Sequence, residues 1–347
     1  MTKRARLAVV GCGAIGRVHT RAISGLDEAE LVAVCDVFEE SAAKLANEFG
    51  CKHYTDYRKM FDEEEIDLVS ICTPSGTRLD ICEAASSRKV NILVEKPLDI
   101  TAERCAKIVE MCDAAGVKLG TVFQLRFTPA FKKLKEAESH GRFGKMILGN
   151  SQTICFRSQE YYDGGGWRGT KAGDGGGALM NQGIHSVDLL LWVMGDVKAV
   201  SAYKGSLTHD IEVEDTVSAT IEFVSGAMGS IQATTSVKHG IDKRLEILGE
   251  NGTVIIDGEN VVKWDFEEGS SQAAHEIESR EGISAQSPLI EDVWGHQQQI
   301  SDMIKAIRED KEPLVSGRDG MKAVELVLAI YESARTGKRV VLAGADK

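Results

Sequence analysis

Near the start of the chain, Gly11-Cys12-Gly13-Ala14-Ile15-Gly16 follows a short apolar run and opens a helix-length segment. In that setting each glycine has a use. Gly11 permits a tight turn, Gly13 lets main chain approach a phosphate, and Gly16 lets the helix pack closely on the strand. The first helical residues, Ala14 and Ile15, turn unpaired N–H groups toward an anion. Asp36 stands 20 residues after Gly16 and closes the second β-rich run, where a carboxylate accepts hydrogen bonds from ribose hydroxyls. A ribose 2′-phosphate there would set like charges together, and Val37 and Phe38 supply no arginine to receive it. The pattern predicts a dinucleotide site for NAD in preference to NADP; its alternative is a glycine turn with Asp36 as a helix cap. Two further runs carry reactive side chains: Val94-Glu95-Lys96-Pro97-Leu98, at the C-terminal end of a strand, and Gly175-Gly176-Gly177-Ala178-Leu179-Met180-Asn181-Gln182-Gly183-Ile184-His185-Ser186-Val187-Asp188. The ends of parallel strands are where open α/β sheets bind their ligands.

These residues need a scaffold, and the first third of the chain spells one. β-rich runs at 6–10, 31–35, 68–72, 91–94 and 117–122 alternate with helix-length segments, the signature of a doubly wound parallel sheet with crossover helices. One helix, 101–115, starts on a threonine cap and places Ala102, Cys105, Ile108, Val109 and Cys112 on one face. After about residue 123 the rhythm changes. A helix over 129–139, a strand, a glycine-rich loop and a helix over 178–194 lead into β-rich segments with no helices between them. Ser225-Gly226 and Asn251-Gly252 read as hairpin turns, 267–288 as a surface loop, and 292–309 and 320–336 as closing helices. The expectation is an α/β Rossmann domain over 1–122, then an α+β domain over 123–347 built on a large, open, predominantly antiparallel sheet. That second domain would bind substrate and mediate oligomerisation.

With both runs in place, the chain resembles the glucose-fructose oxidoreductase/inositol dehydrogenase/MocA family along essentially its whole length. Glu95-Lys96-Pro97 matches that family's EKP motif, and the glycine run leading to His185 matches its second signature. The resemblance implies that Lys96 hydrogen-bonds the reacting hydroxyl, that His185 exchanges its proton, and that the Lys96–Pro97 bond is cis. Proton transfer of this kind is what alcohol oxidation requires, since hydride leaves readily only as the hydroxyl proton goes to a base. Outside that signature, His185 would read as a core histidine and Lys96 as a surface lysine. The aspartate usual four residues before the histidine is Asn181 here, which orients the imidazole without charging it. Asp188, on the same helical face, either supplies the charge or bonds solvent or backbone. The Thr73-Pro74 turn that borders the family's cofactor is present, whereas the Asn-xx-His that often follows is Ser75-xx-Arg78. Glu95, Pro97, Gln124 and Arg126 fall where relatives contact cofactor. Trp167 and Arg168 fall at substrate positions or act as a loop anchor, with Arg157, Tyr161 and Tyr162 as further substrate candidates.

Composition narrows the rest. A formal charge of −12 argues against a nucleic-acid partner, and no apolar stretch nears the ~20 residues that cross a bilayer. The eight cysteines lack a CxxC pair and sit in apolar runs, as reduced structural thiols do, so neither metal nor disulfide is expected and the compartment reads as cytoplasmic. The chain is thus expected to be an NAD-dependent oxidoreductase acting on a sugar, cyclitol, sugar acid or nucleotide sugar, and a homodimer or homotetramer through its open sheet. Two other functions share the fold: a glycosidase or lyase in which NAD oxidises the sugar transiently, and a non-catalytic NAD-binding regulator. Fold alone does not separate them.

Overall fold

The computed structural model describes residues 3–164, 166–241, 243–267 and 293–342. In chain order the first elements are β1 (Ala5–Val10), α1 (Ala14–Ser24), β2 (Ala29–Cys35), α2 (Glu39–Phe49), β3 (Lys52–Tyr54), α3 (Tyr57–Glu63), β4 (Leu68–Ile71), α4 (Arg78–Ser87), β5 (Asn91–Val94), α5 (Ala102–Ala115) and β6 (Leu119–Thr121). There follow α6 (Pro129–Ser139), β7 (Met146–Ile154), α7 (Gln159–Asp163), a π-helical turn (Ala178–Gly183), α8 (Ile184–Met194), β8 (Val197–Gly205), β9 (Thr216–Phe223), β10 (Met228–Thr234), β11 (Arg244–Gly249), β12 (Gly252–Asp257) and β13 (Asn260–Phe266). α9 (Trp294–Glu309), α10 (Gly317–Thr336) and β14 (Val340–Val341) close the chain. Two compact units result: Met1–Gln124 with Leu289–Met321, and Leu125–Pro288 with Lys322–Lys347.

In the first unit six parallel strands run in the order β3-β2-β1-β4-β5-β6, the doubly wound arrangement that the alternating pattern predicts. β4 and the last three residues of β5 are buried throughout, as strands covered by helices on both faces must be. Thr101 caps α5 by accepting the Arg104 N–H at 3.2 Å. β3, three residues long, carries too little pattern to be read from sequence. α9 packs on α1, and its Ile300, Met303 and Ile304 are buried in one core with Leu7, Val9 and Ile23. Each such side chain is worth about 1.5–3 kcal/mol.

The second unit holds an eight-stranded sheet ordered β13-β12-β11-β7-β10-β9-β8-β14. Only β7 and β10 pair parallel; among the described residues the other neighbours are antiparallel. Both hairpin turns fall where expected, β9 to β10 and β11 to β12. On the face turned away from the core, Met228, Leu148 and Leu248 form one apolar row across β10, β7 and β11. The next rows are polar: Ser230 donates to Asn150 Oδ1 at 2.8 Å and Gln152 to Gln232 Oε1 at 2.9 Å. The face is therefore mixed, not the broad apolar patch that would by itself compel association. From residue 268 the loop read over 267–288 lies outside the described residues. No described helix is long and apolar enough to cross a membrane.

Candidate active site

At the end of β1 the chain enters the glycine turn. Gly11 takes φ +99°, which disfavours a side chain, and a Cβ on it would sit 2.7 Å from the Cys72 carbonyl group. A Cβ on Gly16 would collide with the Gly11 carbonyl oxygen, while one on Gly13 meets nothing within 4 Å. Gly13 thus presents bare main chain at the head of α1, where Gly13 itself provides no side-chain cap and the first turn has no acidic residue. Unpaired N–H groups at Ala14 and Ile15 favour an anion. Asp36 is anchored beside them: its Oδ2 accepts the Cys12 N–H at 2.7 Å and its Oδ1 the Phe38 N–H at 2.9 Å. A carboxylate has about four acceptor positions, so two remain for ribose hydroxyls. Beyond β6, Gln124 carries a buried Oε1 with no hydrogen-bond partner among the described residues. A bare turn, an anchored carboxylate and an orphaned amide oxygen fit a bound dinucleotide. On this geometry Asp36→Ala removes the ribose acceptors and, for NADP, also removes the carboxylate that would repel its 2′-phosphate, which offsets the loss of the turn's support. NAD affinity is expected to fall by about tenfold or more while NADP affinity changes little, at ~1.5–3 kcal/mol per charged hydrogen bond. Calorimetry with both cofactors measures it, and an undiminished preference for NAD would remove Asp36 from the site.

Thr73-Pro74 follows β4 and Glu95-Lys96-Pro97 follows β5. The Lys96–Pro97 bond is cis. What joins the two segments was not foreseen. Arg78, at the start of α4 and 4% exposed, donates to the Thr73 carbonyl from Nε at 3.2 Å and from Nη2 at 3.0 Å. Its Nη1 donates to the carbonyls of Glu95 and Pro97. Glu95 is buried, accepts the Lys96 N–H at 3.1 Å and bonds His19 Nε2 at 3.0 Å.

In the second unit the helix expected over 178–194 opens instead with the π-helical turn, and α8 carries His185 at 8% exposure. Glu214 fixes this turn. Its carboxylate accepts the N–H groups of Gly177 and Leu179 at 3.1 and 3.0 Å and the Tyr331 hydroxyl at 2.7 Å, and its carbonyl accepts the Ala178 N–H at 3.0 Å. A side chain at Gly177 would collide with that carbonyl. Asn181 donates to Asp174 Oδ1 at 2.9 Å, and Asp174, 1% exposed, also accepts the Gly169 N–H at 3.1 Å. Asp188 is brought to Arg126: Nε and Nη2 donate to its two oxygens at 2.9 and 2.6 Å, with both side chains buried. The Arg126 guanidinium also lies 5.1 Å from the centre of the Trp192 ring.

The loop candidates gather around Tyr161. The guanidinium groups of Arg168 and Arg157 lie 4.6 and 5.4 Å from its ring centre, and Gln182 donates to its hydroxyl at 3.3 Å. Trp167 is 5.3 Å from Arg168, and its carbonyl accepts the Thr170 hydroxyl at 2.7 Å. Tyr162 is packed inward instead, with its hydroxyl 2.8 Å from Thr235 Oγ1 and its ionisation pushed up by burial. None of the eight cysteines is joined in a disulfide. Burial, with Asp36 nearby, pushes the thiols of Cys12 and Cys35 up to about 12, so neither is a nucleophile at neutral pH.

The first unit carries a dinucleotide cradle and the second a histidine-bearing helix with Arg157 and Arg168 beside Tyr161, features that suit a pyridine-nucleotide oxidoreductase. Residues 5–123 match the oxidoreductase family's NAD-binding Rossmann fold and residues 135–342 its C-terminal alpha/beta domain. The chain belongs to the Gfo/Idh/MocA oxidoreductase family. Among its relatives, myo-inositol 2-dehydrogenase of Thermotoga maritima is 27% identical over 97% of this chain and 98% of the relative. The WlbA dehydrogenase of Bordetella pertussis, solved with NADH and UDP-GlcNAcA, is 33% identical at a TM-score of 0.90, covering 99% of each chain. The WlbA enzyme of Chromobacterium violaceum, in the same complex, is 34% identical at a TM-score of 0.89, over 99% of this chain and 98% of that one.

Proposed function

We propose that this chain is an NAD-dependent dehydrogenase or reductase acting on a secondary CH–OH group, and that its substrate is a nucleotide-linked sugar acid. What carries the reading is the likeness over 99% of each chain to a dehydrogenase solved with NADH and UDP-GlcNAcA, in a chain that keeps the glycine cradle, Lys96 and His185. When bound, NAD supplies the hydride acceptor. Gly11, Gly13, Ala14, Ile15, Gly16 and Asp36 would hold it, with Thr73, Pro74, Pro97 and Gln124 along the strand ends, while the buried Glu95 holds the Lys96 main chain. The Lys96 ammonium hydrogen-bonds the reacting hydroxyl and stabilises developing alkoxide charge, and His185 takes the hydroxyl proton. Asn181, oriented by Asp174, aligns the imidazole, whereas Asp188 serves Arg126 as a structural partner. Arg157 and Arg168 offer donors to a carboxylate or phosphate, with Tyr161 and Trp167 as the faces on which they lie.

A panel of inositols, neutral pyranoses, free uronates, nucleotide sugars and nucleotide-linked uronates, scored by NADH formation, tests the substrate class. The nucleotide-linked uronates are expected to give the highest kcat/KM. Best turnover on a free cyclitol would overturn the finer reading and leave the dehydrogenase in place. We place the enzyme in the cytoplasm, on the support of eight cysteines that form no disulfide, and expect a homodimer or homotetramer. The row of exposed Met228 and Leu148 with half-buried Leu248 supports association through the open sheet face. Light scattering at micromolar concentration is expected to give two or four chains, and a monomer would refute this.

A further inference from the structure

Four buried side chains from three helices and the end of β5 surround the main chain of Lys96. His19 on α1 is fully buried, and Arg78, Glu95 and His296 are each no more than 4% exposed. Glu95 Oε2 accepts the Lys96 N–H at 3.1 Å, and its Oε1 lies 3.0 Å from His19 Nε2 and 3.8 Å from His296 Nε2. The two imidazole rings meet edge to face at 5.2 Å. Arg78 holds the carbonyls on either side of Lys96 and ties them to the Thr73 turn. Burying this many ionisable groups is costly, and apolar side chains of similar volume would hold a core as well or better. The arrangement therefore has a use other than stability. The Glu95 carboxylate holds the Lys96 N–H, the Arg78 guanidinium holds the carbonyls of the residues on either side, Glu95 and Pro97, and His19 and the Thr73 carbonyl orient these two side chains.

We propose that Arg78 and the His19–Glu95 pair, with His296 packed against it, are positioning residues that hold Lys96 at a fixed place for the reaction. The proposal rests on the reading that Lys96 hydrogen-bonds the reacting hydroxyl. Burial works against charge on both members of the pair. Cys72 and the Glu95 carboxylate nonetheless raise His19 to about 10, and the His19 hydrogen bond with the charges of His19, His296 and Lys96 holds Glu95 at about 2. Both shifts favour the charged pair, and the 3.0 Å contact between His19 Nε2 and Glu95 Oε1 is the geometry of an ionic clamp. A lysine displaced by even ~1 Å would lose on the order of 10²-fold in rate.

The test uses the full-length protein with Arg78→Lys, Glu95→Gln and Glu95→Leu, and Lys96→Ala as reference. Four quantities are read: NAD affinity, KM, kcat per NAD-binding site, and the isotope effect with carbinol-deuterated substrate. For Arg78→Lys and Glu95→Leu, kcat per site is expected to fall ~10- to 100-fold, with NAD affinity and KM within about threefold and the isotope effect rising as the chemical step becomes limiting. Glu95→Gln, which keeps an acceptor for the Lys96 N–H, is expected to recover part of the loss. If Arg78→Lys does not fold, the Gln–Leu comparison at Glu95 decides alone. Folded variants with unchanged kcat per site and isotope effect would show a core role only and overturn the proposal. One equivalent of transition metal retained through chelator dialysis would also overturn it, because a metal held by His19, Glu95 and His296 would take the lone pairs this clamp requires. Near-normal turnover by Lys96→Ala would instead defeat the underlying reading of Lys96.

Discussion

Lys96→Ala and His185→Ala are each expected to lower kcat by about 10²–10⁴, some 3–5 kcal/mol of barrier, with NAD affinity within about threefold of the parent. The asymmetry follows from where the residues stand. The elements that fit a dinucleotide are the glycine turn, the head of α1 and Asp36, and neither substitution disturbs them. Lys96 and His185 act only once a hydroxyl begins to lose its proton. Steady-state kinetics beside calorimetry separates the two effects. Near-normal turnover in either variant would remove that residue from the chemistry, and an equal loss of NAD binding would make its role one of cofactor retention.

The second large effect is on stability. Removing one member of a buried, bidentate ion pair takes the main compensation from the other's charge, at a cost of about 3–5 kcal/mol, and Arg126 and Asp188 are 3% and 1% exposed in their side chains. Arg126→Ala and Asp188→Asn are therefore both expected to lower the unfolding midpoint markedly, without moving the pH–rate profile of the folded enzyme. If Asp188 instead charged the His185 imidazole, Asp188→Asn would shift that profile while Arg126→Ala would not, and denaturant unfolding with pH-dependent kinetics tells the two apart. The aspartate usual in relatives cannot simply be restored at Asn181. Asn181→Asp would face the buried Asp174 carboxylate, which now accepts the Asn181 amide at 2.9 Å, and two such carboxylates disfavour each other's charge.

Signals confined to a few neighbouring residues were legible in the sequence. The glycine turn and Asp36 could be read because Gly11 and Gly16 answer local steric demands and Gly13 leaves main chain bare, and the hairpins because Ser225-Gly226 and Asn251-Gly252 are turn chemistry. The parallel strands showed as short apolar runs, with β5 found at its observed bounds. What escaped depends on partners far apart in the chain. His19 and Glu95 are 76 residues apart and Arg126 and Asp188 are 62, so nothing local marks His19 as buried or turns Arg126 toward α8. Arg78 showed only as a departure from the Asn-xx-His pattern, because its acceptors are the carbonyls of Thr73, Glu95 and Pro97, and carbonyl positions are not written in residue types. The π-helical turn before His185 escaped for a similar reason: Glu214 imposes it from a segment of the chain beyond α8.

The most direct test of the central claim follows one atom. The enzyme is given NAD and a nucleotide-linked uronate deuterated at the oxidised carbinol carbon, and the NADH released is examined by mass spectrometry. One deuterium is expected in each NADH formed, with an equal amount of keto sugar, because hydride transfer from that carbon defines a dehydrogenase. Tight NAD binding with no label in any nicotinamide, for every sugar that binds, would contradict the account.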